Sequence, residues 1–384
     1  MNPTGTDTNS TLIGVDPAVA GRKPTVVVVG GGYAGIQVAK NLDETAAVTL
    51  VEPRETFFHN VAALRAVAVP EWVDRLFIPY DGLLTHGRVL RDRAVAVHPD
   101  RVELASGTVL AADYIVLATG STYPFPAKID VTDRATAAAR LDAVHDQLTR
   151  ASHVLLLGAG PVGLEFAGEI RAAWPGTEVT IADPAPDLLS GRFPDALRAE
   201  VRAQLDKLGV RVLLGTALAE PPPVEPGLCR PFAVTTTSGV PIAADIWFPC
   251  YGLTVNTDYL AGDLPTARRP NGQVAVTNHL RVVGQDRVFA AGDITDLAEM
   301  KQAYLAGLHA DVVVANIRAL IEGRDDLATY EPRGDEIVLP LGPDGGVTYG
   351  VDEGLLGPEA TAQIKGDFYL DMFRELLGAK VAAG

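Results

Sequence analysis

The sequence predicts an α/β protein with two Rossmann-like dinucleotide-binding modules, and three stretches carry that prediction. Val26 to Lys40 reads VVVVGGGYAGIQVAK, His153 to Ile170 reads HVLLLGAGPVGLEFAGEI, and Arg287 to Thr295 reads RVFAAGDIT. Each opens on a short apolar run of the kind buried on both faces of a parallel sheet, and each breaks at glycine. One such run describes any tight strand–helix turn. Two complete ones, 128 residues apart, are far more specific.

In the first stretch, Gly30-x-Gly32-x-x-Gly35 follows the valines at once, and Ile36, Val38, Ala39 and Leu42 form an apolar helical face. A second apolar strand, Ala47 to Val51, delivers Glu52, which lies 22 residues after Gly30. Strand, glycine turn, helix, strand and acid together make the dinucleotide fingerprint. The glycines let backbone amides approach a pyrophosphate whose charge meets the helix N-terminus, and the carboxylate accepts hydrogen bonds from a ribose.

Pro53 to Ala66 reads as a loop entering a helix, with His59 either a cofactor neighbour or a hydrogen-bonded packing histidine. From Arg88 the pattern turns strand-like. A small antiparallel meander with a Ser106-Gly107 turn comes first; Ile115 to Ala118 then returns to the central sheet, and Thr119-Gly120-Ser121 ends that strand. Pro124-Phe125-Pro126 marks a crossing between domains.

The second fingerprint is Gly158-x-Gly160-x-x-Gly163, and the strand Glu178 to Ala182 ends in Asp183, 25 residues after Gly158. A carboxylate there favours NADH over NADPH, because a 2′-phosphate beside it meets charge repulsion; a turn or helix cap is the other reading of Asp183. The proline-rich Glu220 to Pro226 is a loop, and Ala233 to Phe248 reads as a hairpin around Ser238-Gly239 followed by a strand. Cys250-Tyr251-Gly252 ends that strand much as Ala118-Thr119-Gly120 ended the earlier one, with Cys250 a small buried apolar residue. The third stretch delivers Gly292-Asp293, whose glycine permits close approach and whose carboxylate suits the hydroxyls of a flavin's ribityl or pyrophosphate-linked chain. The helix beginning near Ala303 aims its positive end at the flavin's pyrimidine edge; ordinary strand–turn–helix packing is the alternative.

Composition narrows the function. The 384 residues, 47% of them hydrophobic, are enough for two or three domains. Against 48 acidic residues stand 32 basic ones, a formal charge of −16, which argues against nucleic acid or an anionic membrane as the main partner. Cys229 and Cys250 cannot build a disulfide framework, so a reducing, cytoplasmic setting is expected. The seven histidines show no metal-ligand spacing, and no metal is expected. Residues 1–23 carry no apolar core and read as a disordered tail without a targeting helix. No run approaches the length needed to span a bilayer.

Together these stretches resemble the two-dinucleotide flavoproteins of glutathione-reductase-like fold. Within that group the chain is most similar to the apoptosis-inducing-factor-like, ferroptosis-suppressor-type FAD-dependent NAD(P)H:quinone oxidoreductases, relatives of the type II NADH dehydrogenases. FFHNVAALRA (Phe57 to Ala66), VLATGSTYPFPAK (Val116 to Lys128), GAGPVGLEFAGEI and AYLAGLHADVVVANI (Ala303 to Ile317) carry the likeness. It implies FAD in the first module, NADH in the second with NADPH less favoured, and hydride passing from NADH to FAD and electrons then to a quinone. It further implies cofactor contacts at Arg54, His59, Asn60, Thr119, Gly120, Gly252, Gln302 and Ala303, beside the glycines and acids above. Flavin disulfide reductases carry their redox cysteine pair on a helix near this point, whereas Asn60 to Leu64 contains none; a thiol relay is therefore not expected.

Lys365 is the match to the family's flavin-side lysine, and Glu165 either faces nicotinamide or flavin or only complements its helix dipole. Two features depart from the family. Residue 2 is Asn, so the acylation signal is missing. Ile364 to Lys380 also matches weakly, although Phe368, Met372, Phe373 and Leu376 are spaced to share one helical face, more a core or dimer surface than a membrane anchor. The expected organisation is an FAD-binding domain at 24–127 and 256–327, an NADH-binding domain at 128–255 and a C-terminal module at 328–384. A monomer or homodimer without a membrane span fits this reading, with peripheral membrane contact left open. Two other functions fit the same motifs: an NADH-dependent reductase serving an iron–sulfur protein or a natural-product intermediate, and a redox-sensing interaction protein with incidental turnover.

Overall fold

The computed structural model describes residues 22–350 and 352–379. The expected tail, residues 1–23, lies outside these but for Arg22 and Lys23. Eight α-helices are described: α1 (Tyr33–Leu42), α2 (Ala63–Ala68), α3 (Arg134–Thr149), α4 (Pro161–Ala173), α5 (Asp195–Lys207), α6 (Ala303–Ile321), α7 (Pro358–Lys365) and α8 (Leu370–Leu376).

Two parallel sheets carry the nucleotide modules. The first runs Val288–Ala290, Tyr114–Leu117, Thr25–Val29, Ala47–Val51, Arg88–Leu90. Its register explains the fingerprint. Val29 pairs with Val51 and with Leu117, and Ala290 also pairs with Leu117. The residues that leave these strands, Gly30, Glu52, Ala118 and Ala291, therefore emerge level at one sheet edge. The second sheet runs Val210–Leu214, Glu178–Asp183, His153–Leu157, Ile246–Pro249, and repeats the device. Leu157 pairs with Ala182 and Pro249, so Gly158 and Cys250 leave their strands beside Asp183. A two-stranded crossing, Ser121–Thr122 against Thr254–Val255, joins the modules. The expected meander is formed by Ala94–Val97, Arg101–Leu104 and Val109–Ala111.

Apolar packing locks the layers. All four valines Val26 to Val29 are buried, and α1 packs along α6 through Ala34, Ile36, Val38, Ala310, Val313 and Ile317. The C-terminal residues straddle both modules. Their antiparallel sheet, Ile337–Pro340, Gly346–Gly350 and Gly354–Leu356, lies against α4 and α5. A Cβ on Gly168 of α4 would stand 2.4 Å from the Gly342 nitrogen. The α8 end returns to the first module, where a Cβ on Gly82 would stand 2.6 Å from the Gly378 carbonyl oxygen.

Two expectations need correcting. Phe368, Met372, Phe373 and Leu376 do not share a helix, because Phe368 and Tyr369 adopt left-handed backbone (φ 56° and 61°) and α8 starts only at Leu370. Phe368 and Phe373 are buried while Met372 is 55% exposed. The segment is thus a turn and a short helix that send Phe368 and Phe373 into the core while Tyr369 stays exposed. The other correction concerns α6, whose 19 residues are long and apolar enough to cross a membrane. Half of that stretch is buried inside the protein, and its hydropathy serves packing against α1.

Candidate functional site

The two fingerprint turns share one construction. In the first, Gly30 has φ 105°, Gly32 precedes α1 at its N-cap with no side-chain cap, and Glu52 accepts the amide hydrogens of Gly31 (2.6 Å) and Arg54 (2.9 Å). In the second, Gly158 has φ 118°, Gly160 precedes α4 at its N-cap with no side-chain cap, and Asp183 accepts those of Ala159 (2.6 Å) and Ala185 (2.7 Å). The acid thus tethers the glycine turn in each module. A Cβ on Gly32 or Gly160 would meet nothing within 4 Å, so both helix N-termini open onto free space. Uncapped amides beside an open, Cβ-free approach are what a pyrophosphate requires. The two cradles therefore suit two dinucleotides.

One difference separates the turns. Tyr80, fully buried, donates its hydroxyl to the Gly31 carbonyl (2.8 Å), and a Cβ on Gly31 would lie 2.7 Å from that hydroxyl. The equivalent position in the second turn is Ala159. Arg54 stays near Glu52 (3.9 Å) and reaches the Ile129 carbonyl (3.4 Å).

Asp293 is held by two residues that sequence reasoning left without a role. Its Oδ2 accepts from Ser121 Oγ (2.5 Å) and Lys128 Nζ (3.1 Å), while Lys128 also donates to Ser121 Oγ (2.7 Å). Burial opposes the Asp293 charge, but Lys128 and Ser121 hold its carboxyl below the usual range. The preceding Gly292 gives its amide hydrogen to His309 Nδ1 (3.0 Å). The same ring donates from Nε2 to Glu299 (2.6 Å), which also accepts from Tyr330 (2.7 Å). Among the other expected contacts, Thr119 gives its hydroxyl to the Asn256 carbonyl (2.6 Å), and Gly120 and Gly252 take positive φ at the crossing. Asn60 opens the short turn before α2, Ala303 begins α6, and Gln302 turns its amide toward the Glu336 carbonyl (2.6 Å).

Lys365 and Glu165 meet between the second module and the C-terminal residues. Lys365 Nζ lies 3.8 Å from Glu165 Oε1 and 5.4 Å from the centre of the Phe368 ring. Burial raises the Glu165 carboxyl to about 7, against the opposing pull of Lys365. Near neutral pH this group exchanges a proton readily. His59 is completely buried and donates from Nε2 to the Phe368 carbonyl (2.8 Å), while Nδ1 faces the Tyr33 hydroxyl (3.3 Å). Burial depresses its basicity to about 4, so the ring is neutral. Both ring nitrogens of His59 thus face partners within the chain. Val61 and Ala62 in the short turn before α2, and Ala63 at its first position, carry no thiol. Both cysteines lie elsewhere, Cys250 buried beneath Gly158 with its thiol pushed up to about 12 by burial. Among the described residues no His, Cys, Asp or Glu cluster could hold a metal.

Comparison with known proteins agrees with this geometry. Residues 24–310 match the family model described as pyridine nucleotide-disulphide oxidoreductase. The chain is 33% identical over 362 residues to apoptosis-inducing factor homolog B of Dictyostelium discoideum, covering 89% of this chain and 94% of that protein. It is 32% identical over 328 residues to human ferroptosis suppressor protein 1, covering 84% and 87%. Among solved structures, the sulfide:quinone oxidoreductase of Aquifex aeolicus superposes with a TM-score of 0.73 at 18% identity, covering 94% of this chain and 93% of that one. NDH2 of Plasmodium falciparum, solved with NADH, gives 0.71 at 13% identity, covering 93% and 97%. These two structures share the fold.

Proposed function

The chain belongs to the pyridine nucleotide-disulphide oxidoreductase family, and on that premise we propose that it oxidises NADH and reduces a quinone through bound FAD, with no cysteine in the electron path. It is an FAD-dependent oxidoreductase using a nicotinamide nucleotide. The observation that carries the finer reading is the cysteine-free stretch Asn60 to Ala63, together with the burial of Cys250. Bound FAD supplies the two-electron acceptor that takes hydride from the nicotinamide and yields electrons to the oxidant. In this reading Gly30, Gly32, Gly35, Glu52 and Asp293 hold it, and Gly158, Gly160, Gly163 and Asp183 hold the nicotinamide nucleotide. Lys128 and Ser121 fix one oxygen of Asp293 and leave the other for a cofactor hydroxyl. The Lys365 ammonium, with Glu165 able to give or take a proton, answers charge that develops during turnover.

Reduction by NADH under anaerobic conditions, followed by mixing with quinones and with iron–sulfur proteins, tests the acceptor. A Cys229→Ser, Cys250→Ser double variant should keep at least half the NADH:quinone turnover with FAD retained. Loss of turnover in that variant, or oxidation by the iron–sulfur proteins alone, would overturn the quinone reading.

Asp183 makes a prediction about the donor. A carboxylate a few ångströms from a 2′-phosphate disfavours NADPH by about 1–3 kcal/mol, or about 5–150-fold in kcat/KM. Asp183→Ser should narrow that gap. Equal kcat/KM values for the two nucleotides in the unaltered protein would refute the assignment.

A further inference from the structure

Arg65 stands where three parts of the chain converge. It belongs to α2 of the first module, with its side chain 11% exposed, and makes a two-point contact with Glu169 of α4 in the second module, whose side chain is 4% exposed. Nε donates to Oε2 at 2.5 Å and Nη2 to Oε1 at 2.8 Å. The guanidinium carbon lies 5.1 Å from the centre of the Phe368 ring in the C-terminal segment. Lys365 touches that same ring, and Glu165, one helical turn before Glu169, pairs with Lys365. Two acid–base pairs therefore lie side by side, with one phenyl ring against both cations. The clamp is reinforced nearby, where His145 of α3 donates from Nδ1 to the Val67 carbonyl of α2 (2.9 Å).

We infer that Arg65 is a positioning residue for the Glu165–Lys365 pair: it fixes α2 to α4, holds Glu169 in its own pairing, and seats Phe368 against Lys365. A fork-to-fork contact suits this role better than a point charge, because it fixes orientation as well as distance. The charges facing Glu165 support it. These are Lys365 from α7, Arg65 from α2, and Glu169 from its own helix. Of the strands against α4, Ile337–Pro340 carries no ionisable group. On the others, His153 and Glu178 pair with each other and Asp183 is tied to backbone amides. Glu169 pushes the Glu165 proton affinity up and Arg65 pulls it down, so the two members of the clamp act on Glu165 with opposite sign.

This inference rests on the reading that Glu165 and Lys365 serve turnover, and it fails separately from it. Holoenzyme labelled with [δ-13C]glutamate reports the Glu165 titration directly, its signal assigned by its loss in Glu165→Gln. Arg65→Gln should move the midpoint up by about one pH unit and Glu169→Gln should move it down by a similar amount. The midpoint of the pH profile for flavin reduction by NADH should follow. If either single variant fails to fold because a buried charge has lost its partner, Arg65→Met/Glu169→Met removes both. That double variant should keep FAD and the unaltered midpoint, yet reduce its flavin about 10–100-fold more slowly with KM for NADH within twofold. Midpoints that stay put in the single variants, or a double variant reduced at the unaltered rate, would make Arg65 a stabilising contact only and overturn the inference. An unaffected Glu165→Gln or Lys365→Ala enzyme would instead overturn the reading beneath it.

Discussion

Gly35→Ala should purify without flavin, whereas Gly163→Ala should remain yellow and lose its response to NADH. The two glycines hold equivalent positions in the two fingerprint turns, and neither tolerates a side chain. A Cβ on Gly35 would lie 1.8 Å from the Gly30 carbonyl oxygen; one on Gly163 would lie 2.0 Å from that of Gly158. Neither oxygen can easily move aside. The Gly30 and Gly158 amides are bonded into their sheets, at 2.8 Å to Val51 and 2.9 Å to Ala182. Relief therefore requires the helix to slide from the turn by more than an ångström, and the amides of its first turn move with it. A rearrangement of that size costs about 3 kcal/mol or more, equivalent to about 100-fold or more in affinity for whatever the turn holds. Absorbance of the purified variants and identification of released flavin check the first half. Anaerobic titration with NADH checks the second. If Gly35→Ala retained stoichiometric FAD, or Gly163→Ala were reduced as readily as the unaltered protein, the assignment of nucleotides to modules would be wrong.

The likeness of the two turns follows from the register of the two sheets, and that is why so much of the site is legible in the sequence. A five-residue strand, Thr25–Val29, and its neighbour Ala47–Val51 run level, so a glycine after one and an acid after the other must meet. Spacing along the chain thereby becomes proximity in space. No such rule covers the residues that sequence reasoning missed. Ser121 and Lys128 meet Asp293 across 172 and 165 residues, and Arg65 meets Glu169 across 104. His309 lies inside the recognisable AYLAGLHADVVVANI string, but its partners Gly292 and Glu299 come from the strand end and the loop before α6. Tyr80 left a single trace: glycine at position 31, where the second turn has alanine. The C-terminal residues depart from their sequence pattern for a local reason. Apolar spacing at Phe368, Met372, Phe373 and Leu376 suits a helix, but two consecutive left-handed residues reset the chain between the first position and the rest.

Lys365→Ala should slow NADH:quinone turnover by about 10–1000-fold with FAD still bound. The ammonium is largely buried, 3.8 Å from Glu165 and over the face of Phe368, so water does little to screen it. Its removal has two separable consequences. On the proposed function, a positive charge that answers the electron-rich cofactor is lost, an electrostatic contribution of about a few kcal/mol in a water-poor site. Glu165 also loses the neighbour that draws its proton affinity down. Burial and the charge of Glu169 then act with less opposition, so a carboxyl that titrates near 7 should titrate higher. The pH profile of the surviving activity should therefore shift upward as the rate falls. Lys365→Arg should keep the inflection near its original pH and recover part of the rate, because it restores charge but not the compact ammonium. Rapid-reaction measurement of flavin reduction and reoxidation, each across pH, separates the two consequences. A Lys365→Ala enzyme with unaltered rates would remove this lysine from the mechanism; one with lowered rates but an unmoved inflection would sever Glu165 from it.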